Sequence, residues 1–219
     1  MSQRRWDAVD SYFSDLLVRP DPTLDAALKA SNAAGLPEIA VAPNQGKLLH
    51  LLARMQSAKR ILEIGTLGGY STIWLARALP PDGRLISLEY DPKHAEVART
   101  NIAGAGLADK VEVITGRALD TLPTLAGHFD FFFIDADKMS NAEYFRWALK
   151  LSRRGSMIVV DNVVRDGEVA NADSADPGVI GSRRVIEAMA AEPRVSATGL
   201  QTVGVKGYDG WAIALVIAD

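Results

Sequence analysis

Hydrophobic positions fall at helical spacing at the start of the chain and in short unbroken runs after it. Val9, Tyr12, Phe13, Leu16 and Leu17 recur every three or four residues and predict a helix, which Pro20 and Pro22 end. Residues 25–34 predict a second helix, stopped by Gly35 and Pro37, and a third follows Pro43 through Leu48, Leu49, Leu51 and Leu52. No polar linker follows. The chain therefore reads as one domain over 1–219, with residues 1–52 a helical preface to a core over 53–219. From Arg60 the pattern changes: apolar runs at 61–64, 85–88, 111–114, 131–134 and 157–160 alternate with helical patterns at 71–78, 93–103, 119–125 and 142–151. That alternation predicts an α/β fold, a doubly wound and mostly parallel sheet with helices on both faces. The polar stretch 165–177 predicts a mobile loop over the strand ends, and 182–190 a further helix. Segments 194–205 and 210–217 predict a terminal hairpin that puts an antiparallel strand at the sheet's edge.

Composition narrows the chemistry more than the fold. The 219 residues include no cysteine, which excludes disulfides, thiolate catalysis and sulfur-ligated metals. Net charge is −3 and no Lys/Arg tract stands out, so neither a nucleic-acid surface nor a membrane partner is expected. The basic start, Arg4-Arg5, has no apolar run behind it, and no apolar stretch reaches membrane-spanning length. A soluble, cytoplasmic protein is the expectation.

Two apolar runs end in acids. Asp135-Ala136-Asp137-Lys138 follows 131–134, and Asp161-Asn162 follows 157–160. Ligands of parallel α/β sheets bind outside the carboxyl ends of the strands, so Asp135, Asp161 and Asn162 are expected to converge as hard oxygen donors, with Lys138 close by. Oxygen donors suit Mg²⁺ or another hard cation such as Mn²⁺ or Ca²⁺, not zinc. An Asp at a strand end commonly just caps the next turn; the joint occurrence of all four residues carries the reading. Upstream, Glu63-Ile64-Gly65-Thr66-Leu67-Gly68-Gly69-Tyr70-Ser71 ends the first strand and opens a helix. Its glycines let backbone turn tightly against a ligand. The next strand ends in Glu89, a carboxylate placed to accept hydrogen bonds from ribose hydroxyls. The turn lacks the G-x-G-x-x-G spacing that seats a pyrophosphate, so a phosphate-free nucleoside, S-adenosyl-L-methionine, fits.

These residues resemble the class I S-adenosylmethionine-dependent methyltransferases, and more narrowly the cation-dependent O-methyltransferases of the catechol and caffeoyl-CoA type. Leu62-Glu63-Ile64-Gly65, Gly69-Tyr70-Ser71, Glu89, Asp135-Ala136-Asp137-Lys138 and Asp161-Asn162 carry the resemblance, which spans roughly residues 39–217. It implies a Rossmann-like seven-stranded sheet with an antiparallel C-terminal strand, and a homodimer. It also implies metal ligands at Asp135, Asp161 and Asn162, a catalytic pair Lys138 and Asp135, and a ribose carboxylate at Glu89. The cofactor pocket would take Val41, Glu63, Gly65, Gly69, Ser71, Ala118, Asp135 and Asp137. The expected reaction is methyl transfer to a small aromatic vicinal diol, a catechol or caffeoyl-type phenol. A free phenol is mostly protonated at neutral pH; a divalent cation favours its ionised form, and Lys138 stands ready to take the proton.

The chain departs from the pattern at Asn141, where relatives often carry an aromatic residue, at Arg165, where caffeoyl-CoA enzymes show Trp, and at Leu119, where catechol O-methyltransferase is polar. No carboxylate matches the one that grips the second catechol hydroxyl. Two other readings stand beside the methyltransferase. A nicotinamide-dependent oxidoreductase would use Glu89 on its ribose but lacks both G-x-G-x-x-G and a Tyr-x-x-x-Lys pair. A non-catalytic cofactor-binding protein would have no use for the acid, amide and lysine set. His50, His94 and His128 show no ligand spacing, and Trp74 and Trp147 read as core. Tyr144 and Trp211 fit core or acceptor pocket, and Arg183 and Arg184 a solvated helix face.

Overall fold

A computed structural model describes residues 2–218. Three helices precede the sheet: α1 (Gln3–Phe13), continued by a π-helical turn at Ser14–Val18, α2 (Pro22–Ala33) and α3 (Pro43–Met55). Then β1 (Arg60–Ile64), α4 (Tyr70–Ala76), β2 (Arg84–Glu89), α5 (Pro92–Gly104), β3 (Val111–Thr115), α6 (Ala118–Thr121), β4 (Phe131–Ile134), α7 (Asn141–Lys150) and β5 (Met157–Asp161) alternate. The chain ends with α8 (Pro177–Ala191), β6 (Val195–Gly204) and β7 (Gly207–Val216).

Seven strands form one sheet in the order β3-β2-β1-β4-β5-β7-β6. β7 runs antiparallel to β5 and to β6, so it is inserted one place in from the edge and β6 is the edge strand. This is the class I Rossmann-like fold. The central strands are buried on both faces, which is why they read as unbroken apolar runs. Because successive strand residues point to opposite faces, Ile61, Phe131, Phe133 and Val159 meet Leu49, Ile73 and Trp74 of α3 and α4. Leu62, Phe132, Ile134 and Val160 meet Phe145, Val185 and Met189 of α7 and α8 on the other side.

Three helices begin with an Asp-Pro pair. Asp21, Asp91 and Asp176 cap the first-turn amides of α2, α5 and α8, and the following proline takes the position that needs no N–H. Asp176 and Pro177 therefore start α8 five residues before the apolar periodicity at Ser182 suggests. The segment ahead of it has structure of its own. Residues Arg165–Ala170 form 3-10 turns broken by a left-handed kink at Asp166 and Gly167, and Arg183 Nη1 donates to the Val169 carbonyl at 2.6 Å. Arg183 thus ties this segment to α8, where the sequence suggested only a solvated face. Among the described residues no helix is long and apolar enough to cross a membrane.

Candidate active site

The sheet order reverses between β1 and β4, and such switch points open a crevice at the strands' carboxyl ends. There the Asp135 N–H donates to the Ile64 carbonyl at 2.8 Å, which fixes the end of β4 against the end of β1. Gly65 follows with φ +99°, and a Cβ there would collide with the Asp135 carbonyl. Glycine is required by that close approach, not only by the turn. A cleft of ≈1260 Å³ lies over this junction and is lined by Val41, Gly65, Ser71, Glu89, Ala118, Asp135, Asp137, Lys138, Asp161 and Asn162. The sequence places ten candidate residues here, and the fold brings them to one cavity.

Two expected pocket residues stand elsewhere. Gly69 caps α4 with φ +83° and packs towards Ala98 and Ile102, so it serves the turn and not the cleft wall. Glu63 is fully buried one layer beneath the cleft and accepts hydrogen bonds from Ser71 (2.7 Å), Ser87 (2.6 Å) and Thr72. It meets the cavity through Ser71, whose hydroxyl it orients. Burial pushes the Glu63 carboxyl up to about 7 from 4.5, against the pull of the three hydroxyls. A carboxyl with a raised folded-state value costs nothing while protonated and costs stability once ionised. Stability is therefore lost as pH rises from about 4.5 to about 7. The unfolding free energy from urea titrations should fall across that window by on the order of 3 kcal/mol, whereas Glu63→Gln should lose that component. Parallel pH profiles for the two proteins would contradict this.

At the cofactor end, Glu89 accepts from the backbone amides of Thr66 (3.0 Å), Leu67 (2.7 Å) and Asp91 (2.9 Å). His94 Nδ1 stands 3.7 Å from Glu89 Oε1 and lines the same cleft. Ligand spacing did not single out His94. The available signal was its place in the first turn after a Rossmann strand, which faces the carboxyl edge of the sheet.

At the other end, Lys138 Nζ donates to Asp135 Oδ1 at 2.7 Å. Asp161 is buried, and its one hydrogen-bond donor among the described residues is the Asn162 N–H at 2.7 Å. Burial, and then the charge of Asp135, push the Asp161 carboxyl up to about 8. Asn162 adopts φ +58°, a left-handed conformation that asparagine tolerates better than most residues. Among the described residues no third His, Cys or acid joins the two carboxylates, and Asn162 lines the same cleft beside them. Two neighbouring carboxylates and a neutral amide would suit a hard divalent cation, whose charge would offset the burial and repulsion that raise Asp161. Asp137 turns away from this group. Burial opposes its ionisation, but hydrogen bonds from the Tyr144 hydroxyl and the Ser140 N–H hold it below the usual carboxylate range. Tyr144 thus reaches the cleft, while Trp211 is buried against Phe133 and belongs to the core.

The positions of Lys138 and Asn162 are both fixed by α8. A Cβ on Gly181 would collide with the Lys138 carbonyl, so glycine lets α8 press on the turn that carries Lys138. The adjacent Ser182 hydroxyl, fully buried, donates to the Asn162 carbonyl at 3.0 Å. Gly181→Ala should displace the lysine and slow turnover by about 10²-fold, with S-adenosylhomocysteine affinity unchanged. Single-turnover rates and calorimetry check this, and wild-type rates would contradict it.

The model of the O-methyltransferase family matches residues 19–213. The chain belongs to this O-methyltransferase family. It is 58% identical over 209 residues to a catechol O-methyltransferase of Mycobacterium tuberculosis, covering 95% of this chain and 94% of that one. It is 56% identical over 220 residues to a catechol O-methyltransferase of Niastella koreensis, covering 99% and 100%. Among solved structures, the O-methyltransferase TomG of Streptomyces achromogenes in complex with S-adenosylmethionine superposes with a TM-score of 0.96 at 55% identity, over 100% of both chains. The O-methyltransferase of Bacillus cereus in complex with S-adenosylhomocysteine gives 0.97 at 57% identity, over 98% of this chain and 100% of that one. The chain is thus an S-adenosylmethionine-dependent O-methyltransferase, and the nicotinamide-oxidoreductase and non-catalytic readings fall away.

Proposed function

We propose that this O-methyltransferase acts on one hydroxyl of a small aromatic vicinal diol and depends on a divalent cation held by Asp135, Asp161 and Asn162. The observation that carries the reading is the buried Asp161 beside Asp135, with Lys138 bonded to the same Asp135 at 2.7 Å. The Mycobacterium and Niastella relatives, named catechol O-methyltransferases, support the acceptor class. A cation bound by these oxygens would supply Lewis-acid stabilisation of an ionised phenol oxygen. S-adenosylmethionine supplies an electrophilic methyl group, and Ser71, Glu89 and Ala118 line the cavity that would hold it.

The residues divide the remaining work. Asn162 and Asp161, at the end of β5, would orient the diol. With a cation engaging Asp135, Lys138 Nζ would act as the free amine, take the proton leaving the attacking hydroxyl as its O–H bond breaks, and become an ammonium beside Asp135. Asp137 and Tyr144 would close the floor near the methionine end. Catechol should be methylated and its 1,3-diol isomer resorcinol should not, because only adjacent hydroxyls can share one site. Equal rates on the two would overturn the diol reading.

A homodimer belongs to the same proposal. Val9, Tyr12, Leu16 and Leu17 lie exposed on the first helical segment, an apolar stripe that a second copy would cover. Analytical ultracentrifugation should give twice the chain mass, and a monomer at micromolar concentration would contradict it.

A further inference from the structure

The acceptor end of the cleft contains a cation with no use in the chemistry above. Arg165 lines the cavity three residues beyond Asn162, and its Nε is buried with no hydrogen-bond partner among the described residues. No ion pair among those residues ties its guanidinium either. The carboxylates that hold its turn, start α8 and line the cleft wall accept other hydrogen bonds. Asp209 accepts from the amides of Val164 (3.0 Å), Arg165 (3.1 Å) and Gly210 (2.9 Å). Asp10 accepts from Asn44 (3.1 Å) and Val205 N–H (2.8 Å), and Asp176 from the amides of Gly178 (2.7 Å) and Val179 (3.0 Å).

The backbone holds Arg165 in place at some cost. Arg165 and Asp166 both adopt left-handed conformations, φ +54° and +55°, and strain of this kind persists where the surroundings over-determine it. The Asp209 carboxylate does so here by gripping the two amides that begin the turn. The guanidinium lies against the first turn of α8, where a Cβ on Gly178 would stand 3.0 Å from Asp176 Oδ1 and 3.2 Å from Arg165 Nη2, the two being too far apart for an ion pair. The Arg165 Nε–H, desolvated and without a partner among the described residues, lacks an acceptor, and a planar carboxylate matches the guanidinium's fork of donors.

We propose that Arg165 binds a carboxylate on the acceptor, so that the substrate is an aromatic vicinal diol bearing an acidic substituent. The proposal rests on the diol reading and deepens it. It separates this enzyme's acceptor from neutral catechols and from catechols bearing an amine, which Arg165 would repel.

The test compares kcat/KM for 3,4-dihydroxybenzoate, its methyl ester and 3,4-dihydroxybenzylamine, with Mg²⁺ and saturating S-adenosylmethionine. The acid should lead, with the amine last. In Arg165→Gln the acid-to-ester ratio should fall about tenfold or more, mainly through KM, and Arg165→Lys should restore part of it. An equal loss on all three acceptors would mean that Arg165 only supports the loop, and would overturn the proposal. So would a wild-type enzyme that treats acid and ester alike. If none of the three is methylated, the diol reading fails. Arg165 is then read by calorimetry of 3,4-dihydroxybenzoate in the presence of S-adenosylhomocysteine, where equal affinity in the wild type and Arg165→Gln overturns the proposal and lost affinity supports it.

Discussion

Lys138→Ala should lower kcat by about 10²–10⁴-fold, the range for removing a positioned general base, and leave S-adenosylhomocysteine binding intact. The expectation follows from place and partner. Lys138 sits on the 3-10 turn just past β4, 15% exposed at its side chain, with Nζ 2.7 Å from Asp135 Oδ1. That places the amine beside an acid assigned to the proposed cation. Lys138→Arg separates charge from chemistry. An arginine keeps the positive charge beside Asp135 but does not exchange a proton at neutral pH, so it should restore stability without restoring rate. If the Lys138→Arg variant turned over like the wild type, the lysine would be an electrostatic partner and not the base. Burst or single-turnover measurements at saturating cofactor read the chemical step directly.

Asp161→Ala should abolish cation-dependent turnover and, unusually for the loss of a buried polar residue, should not destabilise the cation-free protein. The carboxyl of Asp161 is pushed up to about 8 by burial and by Asp135, from an ordinary 3.8. Folding therefore favours its protonated form. The cost of ionising it is absent below about 3.8 and complete above about 8, so the wild type is increasingly burdened as pH rises through that window. A divalent cation bound there, as proposed, would relieve the burden by supplying the missing positive charge. In EDTA at alkaline pH, Asp161→Ala should melt no lower than the wild type. Mg²⁺ should raise the melting temperature of the wild type and leave the variant unmoved. A variant that melts lower in EDTA but gains as much from Mg²⁺ as the wild type would remove Asp161 from the cation site.

Much of this was legible in the sequence, and the reasons are physical. The five parallel strands are buried in the sheet and so appear as continuous apolar runs, and the acids that end two of them are conspicuous against that background. Helix α8 was only half visible, because Asp176 and Pro177 start it by capping and the apolar periodicity begins later. Glu63 illustrates a harder limit. Its place at the end of β1 suggests the cofactor pocket, but strand alternation points its side chain below the cleft, onto Ser71, Thr72 and Ser87. The contacts of Gly181 and Ser182 with the site left no trace, although a helix was expected from Ser182. Their role depends on α8 crossing the ends of β4 and β5, a long-range packing relation that no local pattern encodes. Arg165 stood out in the sequence only as a departure. Its unpaired Nε and the grip of Asp209 on its backbone required the fold.

The most direct test of the central claim is methyl transfer from S-adenosylmethionine to catechol and caffeoyl-type acceptors, run with Mg²⁺ and again with EDTA. Product that forms with Mg²⁺, disappears with EDTA and returns on adding excess Mg²⁺ is the predicted result, since Asp135, Asp161 and Asn162 are assigned to the cation. Equal product in both conditions would leave an O-methyltransferase whose crowded acids hold no metal, and would contradict the account of its active site.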